Sequence, residues 1–324
     1  MKYDLVIGGA GLAGATLANY AASKGKKVLV LERNEIGGHC AGDRWSKYGI
    51  HIFHTSNRWL WEYANSVSHF KPVHYSPLAQ YYEELYSFPV NLLTLHQLGI
   101  NKLPLKEAGS NFQELAINLM GWQIYEKFFY HYTKKMWGRE PSELPASILK
   151  RIPIRMDYRT SYYDDIYTGV PENGFDAFFR SLLSGVEVQS GDFIEEHKAF
   201  DCLKVFTGSI DEFHGFEYGE LEYRGMEFKR CNPQKALAIN YVDYRSEVRT
   251  IDYSYLWDTD MCIRETPSVE GRFYPVPWDR GLYEKYLEIE TDVHFAGRLG
   301  TYKYLNMDRV MEDSIELYHK LFTC

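Results

Sequence analysis

Cysteine is sparse in this chain. Five are scattered through 324 residues (Cys40, Cys202, Cys231, Cys262 and Cys324), and no two form a Cys-x-x-Cys pair. That spacing argues against a disulfide framework or a thiolate zinc site and fits a reducing compartment. No metal is expected. No apolar run reaches the roughly 18 residues that a membrane-crossing helix needs. Lys2 and Tyr3 lead straight into DLVIGG, so no signal peptide is expected and a cytoplasmic location is. Positive charge is also short: 36 Lys and Arg against 44 Asp and Glu, a formal net charge of -8. That balance argues against nucleic acid or an anionic membrane as partner. An anionic ligand must then be held by a few placed arginines. Repeats, low-complexity tracts and Pro/Ser-rich linkers are missing as well. Tyrosine is the residue in excess, at 27. It suits either a polar aromatic cleft or amphipathic packing where lobes meet. The length allows a sizeable core and two or three lobes.

The N-terminal stretch, residues 3–32, reads YDLVIGGAGLAGATLANYAASKGKKVLVLE. An apolar run leads into Gly9-x-Gly11-x-x-Gly14, a small-residue helix pattern follows from Leu12 to Ser23, and a second apolar run ends in Glu32. The three glycines serve a tight turn, close approach of a pyrophosphate and close helix–strand packing, and Glu32 is placed to accept from a ribose hydroxyl. The glycine fingerprint alone is weak; framed by strand, helix, strand and acid it points to a dinucleotide. Beyond Glu32, RNEIGGHCAGD adds Gly37 and Gly38, two residues free to take positive φ where the backbone passes a long cofactor. By analogy with flavoproteins that have such a lobe, the pattern favours FAD over NAD.

The rest of the chain reads as an α/β protein. A buried strand is expected at 49–54 (GIHIFH), a helix at 57–68, and a strand or hairpin arm at 81–90. From 92 to about 135, apolar and aromatic residues recur at spacings of three and four, the mark of helix. Strands are expected at 186–189, 202–208, 226–230, 236–242 and 293–297, and helices at 175–184, 281–288 and from Met307 to the end. Close to that end stands GRLGTYKYLNMD, after the apolar VHFA: a strand, a glycine-bounded turn and a helix start, which together present N–H groups to an anion. The expected architecture is a Rossmann-like FAD-binding lobe (1–70, 181–235 and 290–324), an inserted small helical lobe (91–150), and an antiparallel-sheet lobe (71–90, 151–180 and 236–289).

One run is rich in chemistry. FFYHYTKKMWGREPSELPASILKRIPIR places Phe128, Phe129, Tyr132 and Met136 near one helix face, with Trp137 at its end. Such a stripe is most often core, but here it runs into basic residues and a Pro-punctuated loop, as a base-stacking cleft beside a phosphate clamp would. Arg151 is the clamp candidate, since a planar guanidinium binds phosphate in bidentate fashion. Tyr162 and Tyr163 follow in TSYYDDIYTG. Taken together, YTKKMWGR, KRIPIR, GVPENGF, GIHIFHT, YPV and GRLGTYKYLNMD resemble the bacterial UDP-galactopyranose mutases, and the matching motifs run from residue 8 to residue 308.

The resemblance implies roles residue by residue. Phe128, Phe129, Tyr132 and Trp137 match the uridine pocket; Arg151 and Arg249 match the arginines that clamp the pyrophosphate. Tyr162, Tyr274 and Tyr304 match tyrosines that donate to the same phosphates, and Tyr163, Asn240 and Asn306 fall in the substrate region. His54 matches the histidine against the flavin, and Arg298 and Asp308 match residues at the flavin side. The implied reaction is interconversion of UDP-galactopyranose and UDP-galactofuranose, in which N5 of reduced FAD attacks the anomeric carbon and UDP leaves. Arg151 and Arg249 would stabilise the charge on UDP. A homodimer and an external reductant such as NAD(P)H are also implied. The chain departs from the family pattern in reading LNMD, with Asn306, where an acid is common, in tighter spacing between Asn240 and Arg249, and in a short insert at NKLPLKEAGS. These departures keep other readings open: a mutase for UDP-N-acetylgalactosamine or a 6-deoxyhexose, a non-catalytic nucleotide-sugar binder, or an amine-oxidase-like flavoenzyme.

Overall fold

The computed structural model describes residues 2–322, so Cys324 lies outside the described residues. Two compact units are present. The first combines the chain up to Val73, Asp165–Tyr223 and the chain from Arg272; the second combines His74–Asp164 and Arg224–Gly271. The segments 165–180 and 272–289, expected in the antiparallel lobe, thus belong to the same unit as the glycine fingerprint, and the helical segment shares a unit with the antiparallel strands.

The first unit is built on a five-stranded parallel sheet ordered Val293–Phe295, Leu203–Phe206, Leu5–Gly8, Val28–Glu32, Glu187–Ser190. Its central strand, LVIG, is buried on both faces, as a parallel strand covered by helices must be. Leu5 stands opposite Val28 on one side and Leu203 on the other. The helix Leu12–Ser23 follows at once; its alanines and glycine let it lie close to the sheet and to the last helix, Met307–Phe322. Tyr3, Val6, Leu29, Leu31, Phe193, Phe206 and Val293 form one core cluster. A small antiparallel sheet, ordered Phe53–Thr55, Tyr167–Pro171, Phe70–Pro72, lies in the same unit. Of the strand expected at 49–54 only Phe53 and His54 are extended in a sheet, in the strand Phe53–Thr55.

In the second unit the strands run in the order Tyr223–Arg230, Cys262–Ser268, Arg249–Asp252, Ala238–Tyr241, Leu78–Tyr81, Glu84–Ser87. Arg249 pairs with Asn240 on one side and with Glu265 on the other. The helical stretch is broken into Leu92–Leu98, Phe112–Met120 and a run from Trp122 to Trp137 whose middle, Tyr125–Tyr130, is a π-turn. Gly99, in the left-handed region at φ +67°, ends the first of these helices. Much of the tyrosine excess is packing, since Tyr125, Tyr253, Tyr286 and Tyr302 are among the largest fully buried side chains. Among the described residues, no helix is long and apolar enough to cross a membrane.

Candidate active site

In the first unit, a cavity of about 650 Å³ opens at the carboxyl ends of three neighbouring parallel strands, where Gly8 and Gly9, Leu31 and Glu32, and Phe206 to Gly208 line it, the position at which open α/β sheets bind ligands. The glycines there are required by geometry. Gly9 has φ +103°, and a Cβ on Gly14 would lie 2.0 Å from the Gly9 carbonyl oxygen. Gly37 and Gly38, at φ +103° and +53°, cross Gly11: the Gly37 N–H donates to the Ala10 carbonyl at 3.0 Å, and Gly11 and Gly37 bridge.

Several features fit a dinucleotide here. Gly11 caps the helix Leu12–Ser23 without any side-chain acceptor, and no acid stands in its first turn. The first N–H groups of a twelve-residue helix are thus left for an anion such as pyrophosphate. Glu32 lines the far end; its carboxylate accepts from the Ala10 N–H at 2.6 Å and the Asn34 N–H at 2.8 Å, which fixes its direction. The opposite end is closed by the C-terminal segment. Gly297 (φ +74°) lies so close to Ala13 that a Cβ would come within 2.9 Å. The run Gly297–Gly300 is a single helical turn, and the long helix starts only at Met307.

Arg298 lies within an aromatic group. Its guanidinium carbon is 4.9 Å from the Tyr304 ring, 5.6 Å from Tyr274 and 6.0 Å from Phe273, and its Nη2 donates to the Leu305 carbonyl at 2.8 Å. Tyr274 and Tyr304 stack at 5.2 Å with 14° between their planes. His39 lies against Phe273, with ring centres 4.6 Å apart. Burial, then the Arg298 charge, pulls the His39 pKa down to about 3, so the ring is neutral. Burial likewise pushes the Cys40 thiol up to about 12.

His54 is buried on the strand Phe53–Thr55, and it is not among the cavity-lining residues. Its Nδ1 lies 2.6 Å from Asp165 Oδ2, while Ser56 donates to Asp165 Oδ1 at 3.0 Å. Asp308, in the first turn of the last helix, has a buried Oδ1 without a hydrogen-bond partner. Desolvation raises its pKa, partly offset by the neighbouring His54. Asn306 is exposed just before that helix.

In the second unit, the aromatic run begins inside the π-turn Tyr125–Tyr130. Phe128 and Phe129 are 2% exposed, packed against Tyr86 and against Phe88 and Phe112, whereas Tyr132 and Trp137 are half-buried beyond the turn. π-turns recur at functional positions of helices. Arg151 ends the short 3-10 helix Ala146–Arg151 and is exposed. Arg249 is oriented by Glu265, whose Oε2 accepts from Nε at 3.0 Å and from Nη2 at 2.7 Å. Glu265 itself is 1% exposed, and its other oxygen has no hydrogen-bond partner. Asn240, also buried, stands beside Arg249 on the adjoining strand. Tyr162 and Tyr163 pack on Tyr75 at 5.7 Å each.

Four residues that the sequence reading did not single out support these groups: Asp165, Glu265, Ser56 and His39. Asp165 and Glu265 are single acids whose partners lie far away in sequence, so no local spacing marks them. His39 stood in plain view inside GGHC, where the glycine pair signalled a turn and concealed the side chain that the turn presents.

Comparison with known proteins addresses the origin of this arrangement. A model of the UDP-galactopyranose mutase family matches residues 127–304, and a model of NAD(P)-binding Rossmann-like domains matches residues 7–67. A dTDP-fucopyranose mutase from Escherichia coli is 31% identical, over 98% of this chain and 97% of its own length. The chain belongs to the UDP-galactopyranose mutase family. As a family member it is an isomerase, a nucleotide-sugar mutase. A probable UDP-galactopyranose mutase from Klebsiella pneumoniae is also 31% identical, over 97% of this chain and 93% of the relative. Among solved structures, a reduced UDP-galactopyranose mutase has the same fold, with a TM-score of 0.73 at 13% identity over 99% of this chain and 96% of that one. The match to the Escherichia coli relative extends over 369 aligned positions, more than the 324 residues present here, so the relative carries extra residues within its length.

Proposed function

We propose that the chain interconverts UDP-galactopyranose and UDP-galactofuranose with reduced FAD as its cofactor. The observation that carries this reading is family membership over nearly the whole chain, and the cavity described above suits a dinucleotide of this size. When bound, reduced flavin supplies a nucleophilic nitrogen that holds the sugar while its ring changes size. The protein's own groups do the rest. The N–H groups of the helix Leu12–Ser23 and of Gly11 hold the cofactor pyrophosphate, Glu32 binds its ribose, and Gly37, Gly38, Arg298 and Asp308 belong to the flavin portion. Arg249, aimed by Glu265, and Arg151 stabilise the negative charge of departing UDP, where fixed cations accelerate most. Tyr162, Tyr163, Tyr274 and Tyr304 supply hydroxyls to the same phosphates. Tyr132 and Trp137 stack on uracil, with Phe128 and Phe129 as the buried support behind them. Binding the part of the substrate that does not react keeps UDP in place until the sugar returns to it. An external donor such as NAD(P)H keeps the flavin reduced.

A second reading changes the sugar and the base. The Escherichia coli relative is a dTDP-fucopyranose mutase at the same 31% identity, and Asn306, uncharged and exposed, stands where the family often has an acid. Reduced enzyme given UDP-galactofuranose and dTDP-fucofuranose in separate assays separates the two. The first reading predicts a kcat/KM at least about tenfold higher for the UDP sugar, a preference of about 1.4 kcal/mol. The reverse preference makes the chain a 6-deoxyhexose mutase.

A further inference from the structure

The turn that follows Gly37 brings two side chains to the cavity wall, His39 and Cys40, and of these His39 carries hydrogen-bonding ring nitrogens. His39 is half-buried, and the groups around it are close: Phe273 at 4.6 Å and Tyr48 at 6.0 Å between ring centres. The groups that face it or share its wall are the Arg298 guanidinium, the Cys40 thiol, the Tyr48 phenol and His51. Among the described residues, none forms a hydrogen bond with either ring nitrogen of His39. An imidazole in an aromatic, largely enclosed wall normally finds a partner inside the protein; here both nitrogens are left to whatever fills the cavity. Its position fixes which part of a dinucleotide it meets. In the strand order, Glu32 ends the strand on one side of Leu5–Gly8, while Phe206 to Gly208 and Gly297 to Leu299 line the cavity on the other, and His39 groups with that second side through Phe273 and the Arg298 charge.

We propose that His39 is a hydrogen-bonding contact for the ring system of the bound flavin and sets its reduction potential. This rests on the reading that flavin occupies the cavity. A neutral imidazole offers one N–H donor and one acceptor and adds no charge. Donation to a flavin oxygen or nitrogen favours the electron-rich reduced form, so loss of the donor disfavours reduction. Because burial and Arg298 keep the ring neutral, this contribution stays constant from about pH 5 to about pH 8, where an ordinary histidine would titrate.

The test is the midpoint potential of the bound flavin in the full-length protein, after flavin content has been measured by absorbance. The expected result for His39→Phe is a tenfold less favourable reduction, about 30 mV lower for a two-electron couple, with the same offset at each pH. His39→Asn, which keeps a donor, should recover most of it. An unchanged potential in His39→Phe with flavin bound overturns the role of His39. Wild-type protein that takes up no FAD overturns the reading beneath it, and is told apart by the absorbance alone. Should His39→Phe fail to fold, 15N NMR of the histidines in unsubstituted protein decides: the His39 resonance must shift when bound flavin is reduced, and a resonance that stays fixed rejects the contact.

Discussion

The two units hold their functional groups by different means. In the first, the groups that face the cavity are largely backbone: positive-φ glycines and the open N-terminus of one helix. In the second, they are side chains oriented by other side chains, as Arg249 is by Glu265 and Tyr162 by Tyr75. A site made of backbone depends on the absence of side chains at fixed spacings and is intolerant of any added atom. A site made of side chains tolerates change around it but depends on partners brought in from distant strands. The first kind should fail all at once, the second by degrees.

The largest effect is expected at Gly14. Its Cβ would meet the Gly9 carbonyl oxygen at 2.0 Å, and backbone cannot swing aside as a side chain can, so Gly14→Val should purify with less than about a tenth of the wild-type flavin, measured by absorbance. Overpacking of this kind also costs about 1–3 kcal/mol. Normal flavin content would remove the claim that close backbone packing builds this cavity.

Arg249→Ala comes next. It should lower kcat/KM about a hundredfold, the scale for losing a fixed group that stabilises developing charge. It should also destabilise the protein by about 3–5 kcal/mol, since Glu265 would remain as a buried, unpaired charge. The double variant Arg249→Ala, Glu265→Gln separates the two losses: chemical denaturation should show stability largely restored, while turnover stays low. If turnover returned with stability, Arg249 would be a structural residue only.

Arg151→Ala sharpens the contrast within the second unit. Arg151 is exposed at the end of a turn, so stability should change by no more than about 0.5 kcal/mol. Turnover should still fall, by about tenfold. Unchanged steady-state kinetics would reject its part in the clamp.

The smallest effect concerns Asp308. Its carboxyl has a raised pKa in the folded protein because burial penalises the charge. The native state therefore keeps this proton to higher pH than the unfolded state does, and the associated stability is lost as pH rises from the ordinary carboxylate range through the raised value. Asp308→Asn should thus raise the Tm of the cofactor-free protein by about 1–2 °C at neutral pH, a modest figure because the group is partly solvated, and by less near pH 4. An equal gain at both pH values would show that the charge is not the cause.

The same contrast explains what could be read from the sequence. The fingerprint Gly9, Gly11, Gly14 and the closing Glu32 were legible because backbone geometry allows few alternatives at those spacings, and the structure puts all four on the wall of one cavity or packed behind it. The parallel strands and the last helix were legible from their apolar runs. The aromatic stripe was misjudged in detail, because α-helical spacing was assumed across Tyr125–Tyr130 where a π-turn intervenes. Arg151, Tyr162 and Tyr163 were suggested by the basic, Pro-punctuated run they follow, whereas Arg249, Tyr274 and Tyr304 could be singled out only through likeness to a family, since nothing near them in the chain announces a phosphate. Glu265 and Asp165 were invisible for the same physical reason: Glu265 meets Arg249 through strand pairing, and Asp165 meets His54 and Ser56 through a long chain reversal. The placing of His54 against the flavin came from family likeness alone, and its bond to Asp165, 111 residues away, had no local signal in the chain.

The measurement that tests the account most directly is chromatography of UDP-galactofuranose after incubation with the purified, FAD-loaded protein, once with dithionite and once without. Conversion to the pyranose form only in the reduced sample is the predicted result, since the first unit would then be supplying a reduced cofactor to a reaction with no net redox change. Equal conversion without reductant, or none in either sample for both UDP-galactofuranose and dTDP-fucofuranose, would contradict it.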